Sequence, residues 1–221
     1  MQNITIAIDG PAGAGKSTVA KRVAKALGAV YLDTGAMYRT VGLYMARKGL
    51  KDPEDIIAAL PDCPIAMRFE GDAQRMYLGD EDVTGEMRSP EASMMASKVG
   101  TIAEVRAFLV ALQQDFAKGH SVVMDGRDIG SVVLPDATCK IFLTASCEVR
   151  AQRRYAELQE KGSDQSYDDV LRSIIDRDYN DSMRDASPMR PADDAVIVDT
   201  SCLTIEQAVS KVLRLAEESV S

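Results

Sequence analysis

The chain is 221 residues long, 46% apolar and 27% charged, which suits one globular domain with a small insertion, or two small domains, around a sizeable core. Its formal net charge of −8 excludes a broad nucleic-acid-binding face, so basic residues that matter must be focused locally. One histidine, His120, and four cysteines with no C-x-x-C spacing exclude the usual zinc arrangements and fit buried or idle thiols in a reducing cytosol.

"ITIAID" (4–9) is a compact apolar run that reads as a strand and not as a secretory leader, so a cytoplasmic protein is expected. "STVAKRVAKALG" (17–28) places Val19, Val23 and Leu27 at helical spacing and closes on Gly28. A second strand, "AVYLDTG" (29–35), and a second helix, "AMYRTVGLYMARKG" (36–49), follow. Residues 62–90 change character. Their short alternating runs, broken by GD, GDED and TG, predict a small antiparallel insertion. "EVRAFLVALQQDFAKG" (104–119) returns to helix, with His120 facing solvent in the turn after it. "SVVMDG" (121–126), "CKIFLTA" (139–145) and "AVIVDTS" (195–201) are three more strands. A long charged helical stretch, broken at Gly162 and Ser163, separates the last two, and "LTIEQAVSKVLRLAEE" (203–218) is the final helix. No window approaches a membrane span.

Five buried strands alternating with helices predict an α/β fold on a parallel sheet. Ligands of such sheets sit outside the carboxyl ends of the strands, and Asp9, Asp33, Asp125 and Asp199 fall at or near those ends.

Between the first strand and first helix stands "GPAGAGKS", which fits G-x-x-x-x-G-K-[ST] in full through Gly10, Pro11, Ala12, Gly13, Ala14, Gly15, Lys16 and Ser17. Small residues let the backbone wrap a phosphate, and the helix N-terminus adds positive potential. Lys16 is placed to reach the outer phosphates, and the Ser17 hydroxyl, backed by Thr18, to hold Mg²⁺. This P-loop identifies a nucleoside triphosphate as one ligand and leaves the reaction open.

Arg39, Arg106, Arg127, Arg150, Arg153, Arg154, Arg177 and Arg184 are spread over several elements. Two phosphate-bearing substrates facing each other need such a set, because guanidinium groups bind phosphate oxygens in pairs. Surface ion pairing accounts equally well for Arg150, Arg153 and Arg154. A kinase acting on a hydroxyl acceptor, with Asp33 as base, and a regulatory protein that binds ATP without transfer are the two competing readings.

"IDGPAGAGKST", "LDTGAMYR", "VMDGRDIG" and "RDYNDSMRD" occur in the order found in bacterial cytidylate kinases, and the chain resembles that family over essentially its whole length. The resemblance implies an adenylate-kinase-like P-loop fold and a monomer that moves a phosphoryl group from ATP to CMP or dCMP with Mg²⁺. It implies a single nucleoside monophosphate kinase domain over residues 1–221, with a core (1–61, 91–146, 185–221), an insertion at about 62–90 and a mobile lid at about 147–184. It places Thr34 and Arg39 in the CMP pocket, Ser97, Arg106 and Asp128 at the base, and Arg177 and Asp181 at the ribose. It places Arg39, Arg127 and Arg184 at the acceptor phosphate, and Arg150 and Arg154 with the P-loop at ATP. Lys16, Arg127 and Arg184 would carry the catalytic charge.

Cytosine carries a donor at N4 where uracil carries an acceptor, so a carboxylate at Asp128 would select CMP over UMP. The acceptor phosphate, with a second pKa of about 6, is already mostly an oxyanion and needs no general base, consistent with a chain that has one histidine. Asp125 either orders water around the metal or is structural. Asp33 either pairs with Arg39 or orients the acceptor site. Tyr38 reads as packing.

Overall fold

A computed structural model describes residues 3–184 and 186–220; the side chain of Pro90 and the terminal Asp185 of "RDYNDSMRD" lie outside the described parts. In chain order the elements are β1 (Thr5–Asp9), α1 (Lys16–Leu27), β2 (Val30–Asp33), α2 (Thr34–Arg47), α3 (Pro53–Ala59), β3 (Ile65–Glu70), β4 (Ala73–Leu78), β5 (Glu81–Asp82), α4 (Pro90–Val99), α5 (Ala103–Lys118), β6 (Val122–Asp125), β7 (Cys139–Thr144), α6 (Cys147–Glu160), α7 (Tyr167–Met183), β8 (Val196–Asp199) and α8 (Ile205–Val220).

The main sheet runs β2-β6-β1-β7-β8 with every pairing parallel, and β3-β4-β5 form a separate antiparallel sheet. The expected parallel α/β fold with a small antiparallel sheet is therefore present. Alternation along β1 explains the layering. Ile6 and Ile8 point to one face and pack with Val19, Val23 and Val212 of α1 and α8. Ala7 points to the other face, with Leu32, Met124 and Ala117. The last strand departs from expectation: β8 is a sheet edge, with Val196 42% and Ile197 58% exposed and only Val198 fully buried.

Two helices escaped the reading of the sequence. α3 is short and starts at Pro53, while α4 is announced by Ser89, whose hydroxyl accepts from the Ala92 N–H, with Pro90 behind it. α2 begins two residues earlier than expected, because the Asp33 carboxylate caps the Ala36 N–H at 2.9 Å. Cys63 and Cys139 are buried, Cys147 is half-buried and Cys202 exposed, and all are reduced. Among the described residues no helix is long and apolar enough to cross a membrane.

α2 and α4 approach closely at Gly42, where an added Cβ would lie 2.8 Å from the Ala96 backbone nitrogen. Gly42→Val should therefore force these helices apart and lower the melting midpoint by several degrees, an overpacking cost of about 1–3 kcal/mol. A thermal melt within one degree of the parent would contradict this packing.

Candidate active site

β1, β2 and β6 end side by side at Asp9, Asp33 and Asp125, and the P-loop turns above them into α1. Gly10 is obligatory there: its φ is +137° and a Cβ would meet the Leu143 carbonyl oxygen at 2.0 Å. Gly15 caps α1 without a side-chain acceptor, so the N–H groups of the first turn are left for a ligand. The buried Lys16 folds back and donates to the Pro11 carbonyl at 2.7 Å. Burial, helped by the nearby Arg127 charge, lowers the Lys16 ammonium to about 7.

Asp125 organises the floor of the site. Its carboxylate accepts from the Ser17 hydroxyl at 2.8 Å and from the Tyr31 hydroxyl at 2.7 Å, and its backbone carbonyl accepts from the Thr34 hydroxyl at 2.7 Å. Burial and the neighbouring Asp33 raise its pKa. A hydroxyl and a carboxylate held together are hard oxygen donors, which fit Mg²⁺; that ion usually takes one or two protein oxygens and completes its shell with water and phosphate. Ser17 and Asp125 are the residues that would hold it.

Two cavities open onto this floor, of about 390 and about 830 Å³. They share Ala12, Gly13, Lys16 and Ser17 of the P-loop, together with Arg154 and Arg177. The larger is bounded by the P-loop as far as Val19, by α6 and α7, and by the segment after β8. The smaller lies between the ends of β2 and β6 and helices α2, α4 and α7.

All the residues expected at the acceptor line the smaller cavity. Thr34 and Arg39 enter from α2, Ser97 from α4 and Arg106 from α5. Arg127 and Asp128 follow β6, and Arg177, Asp181 and Arg184 come from α7 and its end. Six arginines and Lys16 face four aspartates in this wall, an excess of positive charge in an acidic chain. Arg39 pairs with Asp33 at 2.9 Å, and Asp33 also lines the smaller cavity. Arg127 pairs with Asp181 at 2.8 Å, and Arg106 with Asp128. Burial alone would raise the Asp181 carboxyl, but Arg127, Arg177 and Arg184 outweigh it and hold it below the usual range. Buried N–H groups on Arg39 (Nε), Arg106 (Nε) and Arg184 (Nη2) have no protein partner, so the wall keeps donors in reserve for an anion. Tyr38 does more than pack: it lines the cavity, with the Arg106 guanidinium 5.6 Å from its ring centre.

On the donor side Ala12 to Thr18 line the larger cavity, whereas Gly10 and Pro11 serve the turn itself. Arg154 lines both cavities and is half exposed beside Glu157. Arg150 departs from expectation. It lines neither cavity; its guanidinium is buried beneath the P-loop, donating to the carbonyls of Ala12 (3.0 Å) and Ala145 (2.8 Å) and pairing with Asp178 at 2.6 Å. Arg153 ties α6 to Thr200 and, unlike Arg150, lines the larger cavity.

Several contributors had no local signal in the sequence. Tyr31 and Asp178 matter through partners far along the chain. Gln74, from the small sheet, accepts the Asp33 N–H at 2.7 Å and donates to the Asp33 carbonyl at 3.2 Å, pinning the outer edge of β2.

Comparison with known proteins identifies the family. The sequence profile of the cytidylate kinase family matches residues 6–218. A cytidylate kinase of Caldicellulosiruptor saccharolyticus is 50% identical over 217 residues, 97% of this chain and 96% of the relative. One from Streptococcus pneumoniae is 48% identical over 222 residues, 99% of each. Among solved structures, shikimate kinase from Acinetobacter baumannii shares the fold, with a TM-score of 0.51 at 15% identity over 98% of this chain and 94% of that one. With the family profile matched from the first strand to the last helix, and relatives at about half identity along their full length, the chain belongs to the cytidylate kinase family.

Proposed function

We propose that the chain transfers the γ-phosphoryl group of ATP to CMP or dCMP, giving ADP and CDP or dCDP. The observation that supports this most is the meeting of two cavities at Lys16, one walled by the P-loop and the other by arginines. In this reading ATP occupies the larger cavity and the acceptor nucleotide the smaller, phosphate to phosphate. Arg39, Arg127 and Arg184 bind the acceptor phosphate, Arg177 and Asp181 the ribose, and Ser97, Arg106 and Asp128 the cytosine. Lys16, with Arg154 and Arg177 at the junction, cancels the charge that spreads over the transferring group. When bound, Mg²⁺ supplies charge neutralisation at the donor phosphates. Arg150 serves the donor by holding the P-loop, not by touching phosphate. The α6–α7 segment acts as the lid, swinging the exposed Arg154 inward and excluding water. In this reading the working unit is a cytoplasmic monomer.

ADP release with a panel of acceptors tests the reaction. Fast turnover is expected with CMP and dCMP, slow turnover with UMP, and none with shikimate or neutral sugars. Turnover on a neutral polyol comparable to that on CMP would overturn the assignment.

The depressed Lys16 ammonium makes a further prediction. Above about pH 7 the empty site is increasingly neutral at Lys16, and a triphosphate restores its charge. ATP binding at pH 8 should therefore take up protons and weaken as pH rises. Calorimetry in two buffers of different ionisation enthalpy reads this uptake; identical heats would show that Lys16 is already charged.

A further inference from the structure

Asp9 ends β1, immediately before the first P-loop glycine, and is 4% exposed. Its two carboxylate oxygens accept consecutive backbone N–H groups, from Ile129 to Oδ1 at 2.7 Å and from Gly130 to Oδ2 at 2.7 Å. These amides open a single π-helical turn, Ile129–Val133, that follows directly on Arg127 and Asp128. The first N–H groups of any helical turn lack partners within it, and the residue before the turn ordinarily supplies the acceptor. Here that residue is itself an aspartate, Asp128, the kind of side chain that caps its own turn. Yet Asp128 makes no side-chain cap, although its backbone carbonyl accepts from Val132 at 2.9 Å. The carboxylate of Asp128 is instead paired with Arg106 in the wall of the smaller cavity. Asp9, 120 residues before Ile129 in the chain, does the capping.

We propose that Asp9 is a positioning residue for base selection: by capping the turn in place of Asp128, it keeps the Asp128 carboxylate committed to the acceptor base. The inference rests on the reading of Asp128 as the cytosine contact. Without Asp9, two buried N–H groups lose their acceptor, and Asp128, at the position that ordinarily caps such a turn, carries the carboxylate to replace it. Turning inward to cap would take it away from Arg106 and from the ligand. Because Asp9 is also the residue before Gly10, one strand end anchors both the donor loop and the base reader.

Asp9→Asn tests this, since the amide preserves volume but directs an NH₂ group at one of the two donors. The measurements are kcat/KM for CMP and UMP, ATP affinity by calorimetry, and a thermal melt. The ratio of kcat/KM for CMP over UMP should fall at least fivefold, with KM for CMP rising more than the ATP dissociation constant. In an Asp128→Asn background the same change should alter that ratio less than twofold, because the residue it acts through is already gone. A purely structural Asp9 would lower the melt and leave the ratio alone, and that result overturns the proposal. If Asp128→Asn lowers the ratio and Asp9→Asn does not, only the Asp9 inference fails; if Asp128→Asn leaves the ratio unchanged, the base contact fails and the inference with it. Should Asp9→Asn not fold, amide exchange in the parent protein decides: Ile129 and Gly130 should exchange at least tenfold more slowly than an unstructured chain, and unprotected amides would overturn the proposal.

Discussion

Lys16→Met should lower kcat by roughly 10³-fold or more while leaving the fold intact, since a charge aimed at the transition state is worth about that much in such sites. Among the described residues Lys16 is the one lysine lining either cavity, and it stands where they meet. Methionine keeps the stem and much of the volume but brings no charge. The stability side separates cleanly. Burial lowers the ammonium from 10.5 to about 7, so the charged form is disfavoured in the folded protein. Between pH 7 and 10.5 the unfolded chain binds the extra proton, so stability rises with pH across that window, and below it the full cost of a buried charge is present. Removing the charge thus relieves a cost at neutral pH. The melting midpoint of Lys16→Met should equal or exceed that of the parent, and a variant retaining more than a tenth of parental kcat would refute the role.

The second large effect is expected in selectivity. Asp128 and Arg106 form a pair buried at 7% and 5% side-chain exposure in the cavity wall. In the proposed reading a carboxylate there would accept from cytosine N4 and meet only a lone pair on uracil O4. Leaving a buried group unpaired costs about 1–3 kcal/mol, or roughly ten- to hundredfold in kcat/KM. In Asp128→Asn the neutral amide can turn its NH₂ toward uracil, so the CMP preference should collapse by at least tenfold, partly through a gain with UMP. Arg106 loses its counter-charge in the same variant, so a lower melting midpoint is expected as well. Steady-state kinetics on both acceptors, read beside ATP affinity, isolates the base effect. A lower rate on both nucleotides with an unchanged ratio would place cytosine recognition elsewhere.

Much of this molecule is legible because its signals are local. The P-loop is eight consecutive residues whose backbone makes the cradle, and it requires only a strand before it and a helix after it. The apolar runs that form β1 and β6 are buried on both faces and therefore nearly uniform, whereas β7 alternates buried with half-buried residues. The edge strand β8 has the same composition, yet two of its residues face outward, since composition does not say which strand has a neighbour on only one side.

The arginines show where local reading stops. Arg150 and Arg154 lie one helical turn apart and carry the same charge, but the first sits under the P-loop against Asp178 and the second stands at the junction of the cavities. Their difference is where α6 meets the sheet, which no window of sequence contains. The same holds for Tyr31 with Asp125, Gln74 with Asp33, and Asp9 with the turn after Asp128, whose partners are 94, 41 and 120 residues apart. By itself the chain determined that a phosphate is cradled, how the layers alternate, and which motifs mark its family. Tertiary structure decided which charges line the cavities and which hold the protein together. A buried ion is stable only with a partner, and folding alone brings those partners within reach.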